Sequence, residues 1–220
     1  MLVPRYIFKN DFAEFADLLH SYPHKEYFIP AGQYMWSPDE PLDTLHFIKS
    51  GLVETSMEHE EGFRKIISFH GPQTIFPGFH QEDFKLERSL SSKAITDTQT
   101  IAFTKSTFQS ILEEHQSVTF AMLNSYARYV NLLLYETGHQ EYNTGFVKLC
   151  NLLYLISSEN DTALHLTQED IATILGLSRV SLTRYLSRLR EEHIIETGRK
   201  ILSIKDINSL KAYCSDETVL

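Results

Sequence analysis

The chain has 220 residues, 42% of them apolar and 22% charged, with a formal charge of −9, a composition that supports one large or two modest hydrophobic cores. No run approaches the roughly 18 apolar residues of a membrane-spanning helix and Met1 to Asn10 lacks a signal pattern, so no membrane partner and a cytoplasmic location are expected. Two cysteines, Cys150 and Cys214, without a CxxC spacing exclude a disulfide framework and a thiolate metal cluster, and the net negative charge argues against nucleic-acid binding by the chain as a whole.

From Asp11 to His20, Phe12, Phe15, Ala16 and Leu19 fall at helical spacing and predict a short helix that ends before Pro23. Strand-like runs follow at Tyr27 to Ile29, Leu45 to Ile48, Leu52 to Ser56, Lys65 to Phe69, Lys93 to Thr96 and Thr100 to Phe103. Gly32, Gly51, Gly62, Gly71 and Gly78 punctuate them and offer the positive φ that tight reversals need, which predicts a small antiparallel barrel or roll. Glu58, His59, Glu60 and Glu61 would alternate faces on a strand, so they suit a solvated hairpin tip better than a metal site.

A long helical stretch without proline runs from Ser106 to Tyr142, with a break expected near His115. Within it Met122, Tyr126, Tyr129 and Leu133 recur at spacings of four and three, the pattern of a two-chain helical seam. Packing of the helix on its own domain explains the same stripe. Leu132 and Leu134 widen the apolar face, which would let the helix serve a partner helix and the roll together. Beyond it, Phe146 to Ile156 is strongly apolar, Ser157 to Thr162 is a polar turn, Leu164 to Leu166 reads as a short strand, and a hairpin is expected around Gly198.

The charge is unevenly spread. From Gly176 to Lys205 there are seven basic residues (Arg179, Arg184, Arg188, Arg190, Arg199, Lys200, Lys205) against three acidic ones (Glu191, Glu192, Glu196). Overlapping this region, the segment Leu166 to Ile195 predicts two helices at a sharp turn. Thr167 can cap the first with Asp170 three residues on, Gly176 permits the turn, and Ser178 can cap the second. Leu182, Tyr185, Leu186 and Leu189, at i, i+3, i+4 and i+7, would be buried together. The opposite face then carries Arg179, Val180, Ser181, Thr183, Arg184, Ser187 and Arg188. Arginine can donate two hydrogen bonds to a guanine edge, worth roughly 1–3 kcal/mol of discrimination, so Arg179 and Arg184 are the candidate base readers. Arg188 and Lys200 are candidate phosphate contacts, which add affinity without sequence choice.

This order of parts resembles the cyclic-AMP receptor protein and FNR family over nearly the whole chain. The most specific likeness is the pattern Ser-Arg-x-Ser-x-x-Arg, carried by Ser178, Arg179, Ser181 and Arg184. The resemblance implies an α+β fold: an N-terminal antiparallel β-roll of the cyclic-nucleotide-binding type (1–115), a dimerisation helix and hinge (116–143) and a C-terminal winged helix-turn-helix (144–220). It implies a homodimer that reads a two-fold symmetric double-stranded site, with Arg179, Val180 and Arg184 at the base-contacting positions. Valine offers apolar contact where the cyclic-AMP receptor carries an acidic residue, so a different operator is expected. The loop Ser157 to Thr162 corresponds to a surface that touches RNA polymerase in activators, and the expected role is activator more than repressor.

The sensor half departs from the cyclic-nucleotide pattern. Gly78 is followed by Phe79 in place of the glutamate that grips a ribose, although Glu87, Arg88 and Ser89 resemble the phosphate-binding half, and Leu133 and Leu134 replace hydroxyl side chains. Two cysteines rule out the family's iron–sulfur sensors, and His70 and His80, conceivable haem ligands, read better as packed or surface imidazoles, so no cofactor and no metal are expected. By family geometry the pocket would be lined by Phe76, Phe79, Tyr126, Leu133 and Leu134, with Arg88, Ser89 and Lys93 nearby. That lining suits a small organic, aromatic and anionic effector, as in the halorespiration regulators of the family. The alternatives are a regulator that binds DNA without an effector and a cyclic-nucleotide-binding signalling module whose C-terminal helices contact protein. No catalytic pattern of serine, cysteine or paired carboxylates is present, so an enzyme is not expected.

Overall fold

The computed structural model describes residues 3–37, 41, 43–82, 84, 89–158, 166–198 and 201–219. The chain forms two compact units, one of Ile7–Tyr129 and one of Val130–Leu220 with Met1–Tyr6.

The first unit is a β-roll of two sheets. Its strands are β1 (Ile7–Phe8), β2 (Lys25–Ile29), β3 (Tyr34–Trp36), β4 (Thr44–Ser50), β5 (Val53–Glu58), β6 (Arg64–His70), β7 (Ile75–Phe76), β8 (Leu90–Ala94) and β9 (Thr98–Thr104). They pair in the orders β1-β6-β5-β8-β3 and β2-β9-β4-β7. The roll is not wholly antiparallel as expected: β1 runs parallel to β6, with Ile7 opposite Phe69. No hairpin joins these two strands, so nothing forces them to be antiparallel. Strands β1, β3 and β7 span two or three residues, too few for alternation to reveal them. The expected strand at Lys93 to Thr96 begins earlier, at Leu90. Ile95 and Thr96 lie beyond it, and both their N–H groups donate to the Leu52 carbonyl.

Gly32, Gly51 and Gly62 have φ of +85°, +97° and +83°, whereas Gly71 and Gly78 do not adopt positive φ. Gly78 is needed for space: a Cβ there would lie 2.6 Å from the Tyr126 hydroxyl. The hydrophobic core gathers Phe12, from the turn before α1 (Ala16–Ser21), with Leu19, Phe47, Phe103, Phe108 and Met122 from the strands and from α1, α2 (Lys105–Glu114) and α3 (Gln116–Tyr142). Thr104 caps α2 by accepting the Thr107 N–H at 3.1 Å, and His115, with φ −127° and ψ 89°, separates α2 from α3.

Along α3 the expected seam is turned inward. Met122 is buried in the roll core, Tyr126 and Tyr129 are half-buried, and of the four only Leu133 is exposed. A second stripe, Phe120, Leu123, Ala127, Val130 and Leu134, recurs at 3, 4, 3 and 4 and is exposed throughout. Phe120 and Met122 are two residues apart, about 200° around a helix, so periodicity alone could not decide which of two apolar stripes the roll would take.

The second unit contains α4 (Gly145–Ser158), α5 (Gln168–Leu175), α6 (Arg179–Glu191), the hairpin β10 (Ile195–Gly198) with β11 (Ile201–Ile204), and α7 (Ile207–Lys211). Leu149, Leu152, Ile174, Leu182, Leu189 and Leu210 are among its buried residues. Leu166 is not in a strand, and 164 and 165 lie outside the described residues. Buried Asn151 holds the C-terminal turn: it accepts the Ser215 N–H at 2.9 Å and donates to the Ser215 hydroxyl at 3.0 Å. No helix of the described residues is long and apolar enough to cross a membrane.

Candidate functional site

The reading helix is positioned by its caps. Thr167 accepts the Asp170 N–H at 3.1 Å while Asp170 accepts the Thr167 N–H at 2.8 Å, a reciprocal box that satisfies two amides at the start of α5. Gly176, with φ +63°, ends α5 in the left-handed conformation. Ser178 then caps α6 by accepting the Ser181 N–H at 3.1 Å. Leu182, Leu186 and Leu189 of α6 are buried together with Ile171, Ile174 and Leu175 of α5, while Tyr185 is half-buried. Helical geometry therefore leaves Arg179, Val180, Thr183 and Arg184 outward, and Val180 is 81% exposed.

An apolar side chain this exposed beside two arginines has no packing role in its own unit. Arg179 pairs with Glu169 at 2.6 Å, but both groups are largely exposed, and such a pair is readily exchanged for another acceptor. The Arg184 guanidinium lies 5.2 Å from the Tyr185 ring centre. Thr183 spends its hydroxyl on the Arg179 carbonyl, at 2.9 Å.

Arg188, expected at a phosphate, is half-exposed and also has partners within its own unit. Its Nε donates to Glu192 at 3.0 Å, and its guanidinium sits 4.1 Å from the Phe146 ring centre and 5.0 Å from that of Tyr213. It thereby ties α6 to α4 and the C-terminal segment, and its hydrogen bond holds the Glu192 carboxyl below the usual range. Arg190, noted in the sequence only for its charge, donates to Ser187 at 2.8 Å and to Thr197 of β10 at 3.4 Å, linking the helix to the wing. Arg199 and Lys200 lie outside the described residues.

In the first unit, strand pairing and α3 line a half-open cavity of about 180 Å³. Phe8 of β1, Trp36 of β3, Thr55 of β5, His70 of β6, Phe76 of β7, and Tyr126 and Tyr129 of α3 are among its walls. His70 stacks on Phe8, with centroids 5.3 Å apart, and lies 4.3 Å from the Phe76 centroid. Burial pushes this imidazole down to about 3, so it is neutral at ordinary pH. Tyr126 donates its hydroxyl to the Phe79 carbonyl at 2.5 Å.

Of the expected lining, Phe76 and Tyr126 face the cavity. Phe79 instead packs behind it on Phe108, and Ser89 and Lys93 are not among the lining residues. Lys93 is out of phase by one residue with the inward Ser92, so alternation directs it to the other face, where its ammonium lies 5.7 Å from the Tyr34 ring centre. Arg88 lies outside the described residues, and Leu133 and Leu134 are exposed residues of the second unit. Phe8, Trp36, Thr55 and Tyr129 were not assigned to the pocket from sequence, and neither was His70, which was read as a packed or surface imidazole and is packed here. Burial raises both Cys150 and Cys214 to about 12, which leaves inert thiols, and no group of metal-ligating side chains occurs among the described residues.

A roll that encloses a cavity, a long helix and a winged helix-turn-helix together define a DNA-binding regulator with a sensor domain. The cyclic nucleotide-binding domain family matches residues 27–115 and the Crp-like helix-turn-helix domain family matches residues 147–213. The chain belongs to the Crp/FNR family of transcription regulators. It is 21% identical over 193 residues to the cAMP-activated global transcriptional regulator CRP of Salmonella typhimurium, covering 84% of this chain and 89% of that protein. Its fold is similar to FixK2 from Bradyrhizobium japonicum (TM-score 0.74, 19% identity, 88% of this chain and 98% of that one). It is also similar to CprK complexed with OCPA (TM-score 0.74, 16% identity, 95% and 100%).

Proposed function

We propose that this Crp/FNR regulator is a cytoplasmic homodimer that reads a two-fold symmetric DNA site through Arg179, Val180 and Arg184, acts as an activator, and responds to a small aromatic effector in the roll. The carrying observation is the outer face of α6, where caps and buried leucines leave two arginines and an 81%-exposed valine pointing away from the domain. Such a face suits entry into a major groove, with Val180 set against a thymine methyl. Its neighbours Ser178, Ser181 and Thr183 are small enough to let the backbone approach the bases. Lys200, which follows β10 in the sequence, is assigned to phosphate.

The exposed stripe Phe120, Leu123, Ala127, Val130 and Leu134 supports the dimer, since its 3-and-4 spacing is that of a two-helix seam. Met122, Tyr126 and Tyr129 serve the roll, and Leu133 flanks the seam. An effector held against α3 would favour one arrangement of the paired reading helices through its differential affinity for the two states. Contact of residues 157–162 with RNA polymerase belongs to the same proposal; Ser157 and Ser158, expected in a turn, instead end α4, and 159–162 lie outside the described residues.

Selection from a random duplex library tests this reading. Enrichment of a two-fold site with half-sites about 34 Å apart, and its loss together with the dimer in Leu134→Asp, is the expected result. A library that returns no enriched sequence would overturn the DNA-reading assignment, and a monomeric wild-type protein would overturn the seam.

A further inference from the structure

The inner face of the larger sheet carries hydroxyls where a plain apolar core would carry aliphatic side chains. Register sets Ser68 of β6, Thr55 of β5, Ser92 of β8 and Trp36 of β3 in one row across the sheet, and directly opposite residues share a face. The three hydroxyl residues are fully buried. Ser68 is partnered by His70 Nε2 at 3.1 Å and by the Tyr129 hydroxyl. The Thr55 and Ser92 hydroxyls have no partner among the described residues. Leaving a buried hydroxyl unmatched costs about as much as breaking a hydrogen bond, and Thr55 opens onto the cavity.

The rest of the wall sets the chemistry of what could match it. Phe8, Trp36, Phe76 and Tyr126 present aromatic surface, and His70, stacked within it, is held uncharged by burial. His80 also lines the cavity, with Nδ1 at 2.5 Å from the Glu82 carbonyl and its ring stacked on Phe84. No lysine or arginine is among the described lining residues, so an anion entering would lose hydration without gaining a countercharge from them. Size fits the same class. An apolar cavity of about 150 Å³ holds one benzene, and about 180 Å³ accommodates a single ring with a small substituent.

We infer that the roll cavity takes an uncharged, single-ring aromatic molecule whose polar substituent bonds the Thr55 hydroxyl, an inference that rests on the effector reading proposed above. Thr55 is then the residue that selects for a polar substituent, and the aromatic walls select for the ring.

Trp36 is the single tryptophan of the chain and lines the cavity, so its fluorescence reports filling. Benzamide and benzoate are flat, nearly isosteric probes that differ in charge, and toluene lacks a hydrogen-bonding group. Titrated into the full chain at neutral pH, benzamide should change Trp36 emission saturably. Benzoate should need at least about ten-fold more probe for the same change, and cyclic AMP should produce none. Thr55→Val should weaken benzamide about ten-fold and leave toluene unchanged, while Thr55→Ser, which keeps the hydroxyl, should retain benzamide even if the valine variant does not fold.

Benzoate binding as tight as benzamide would overturn the uncharged class, and its loss in Arg88→Ala would assign the charge to Arg88. Benzamide affinity that survives Thr55→Val, or falls in Thr55→Ser as it does for toluene, would remove the hydroxyl from the site. Absence of any saturable response would overturn the cavity as a ring site. The DNA selection described above is run without probe, so its failure would remove the regulatory reading while leaving the fluorescence result to stand on its own.

Discussion

Within the twelve residues from Thr167 to Ser178, two caps and one left-handed glycine set the approach of α5 to α6, whereas the cavity of the roll takes its walls from Phe8, Trp36, Thr55, His70 and Tyr129, each on a different element. The first site is written in consecutive residues and is fixed as soon as two short helices form. The second exists only after strands distant in sequence have paired. Damage should therefore spread differently: a change near α6 alters one helix end or one contact, while a change in the roll core disturbs a shared enclosure.

The largest effect separating the two belongs to the roll. Phe103, 1% exposed at the junction of β9 with the core, should cost about 3–5 kcal/mol of unfolding free energy when replaced by alanine, measured by urea denaturation, and should abolish the Trp36 response. A loss below about 1 kcal/mol would show a core that does not depend on close packing.

Acid sharpens the contrast. Burial lowers His70 to about 3 and His46 to about 4, from an ordinary value near 6.5 in the unfolded chain. The unfolded chain takes up these protons first, so the stabilisation is complete above about 6.5 and is lost as the pH falls through 4 to 3. Moving from pH 7 to pH 5 should remove on the order of 2 kcal/mol for each histidine. A His70→Gln variant should show a shallower dependence of the urea midpoint on pH, and an unchanged slope would mean that His70 is not held neutral by the fold.

A smaller effect is expected at the turn. No atom lies within 4 Å of a Cβ placed on Gly176, so Gly176→Ala meets only the backbone penalty of its φ of +63°, about 1–2 kcal/mol. Gly176→Asn should recover part of that loss, because asparagine tolerates the left-handed region. At Gly78 the same exchange meets the Tyr126 hydroxyl, and asparagine should be worse than alanine. Equal responses at the two glycines would erase the distinction between conformation and space.

The two regions also differ in how far the sequence disclosed them. The caps at Thr167 and Ser178, the turn at Gly176 and the buried spacing of Leu182, Leu186 and Leu189 were all legible, because each depends on residues within one or two helical turns of one another. The roll was legible as an architecture, since its longer strands and glycine turns carry local signals. Its cavity was not. Phe8 and Trp36 stand on strands of two and three residues, and Thr55 matters only through its neighbours across the sheet. Lys93 was placed near the pocket by family geometry alone, and the register of β8 directs it to the other face. The two apolar stripes of α3 were each visible, but only the roll decides between them, by taking Met122, Tyr126 and Tyr129.

Binding of the selected duplex and of a scrambled duplex, at one fixed salt concentration, by the wild type and by Arg184→Ala tests the central assignment most directly. The specificity ratio should fall roughly ten- to hundred-fold in the variant, the equivalent of about 1–3 kcal/mol for one lost base contact, while affinity for the scrambled duplex changes little and the dimer persists. A ratio unchanged by Arg184→Ala would contradict the assignment of α6 as the helix that reads the DNA.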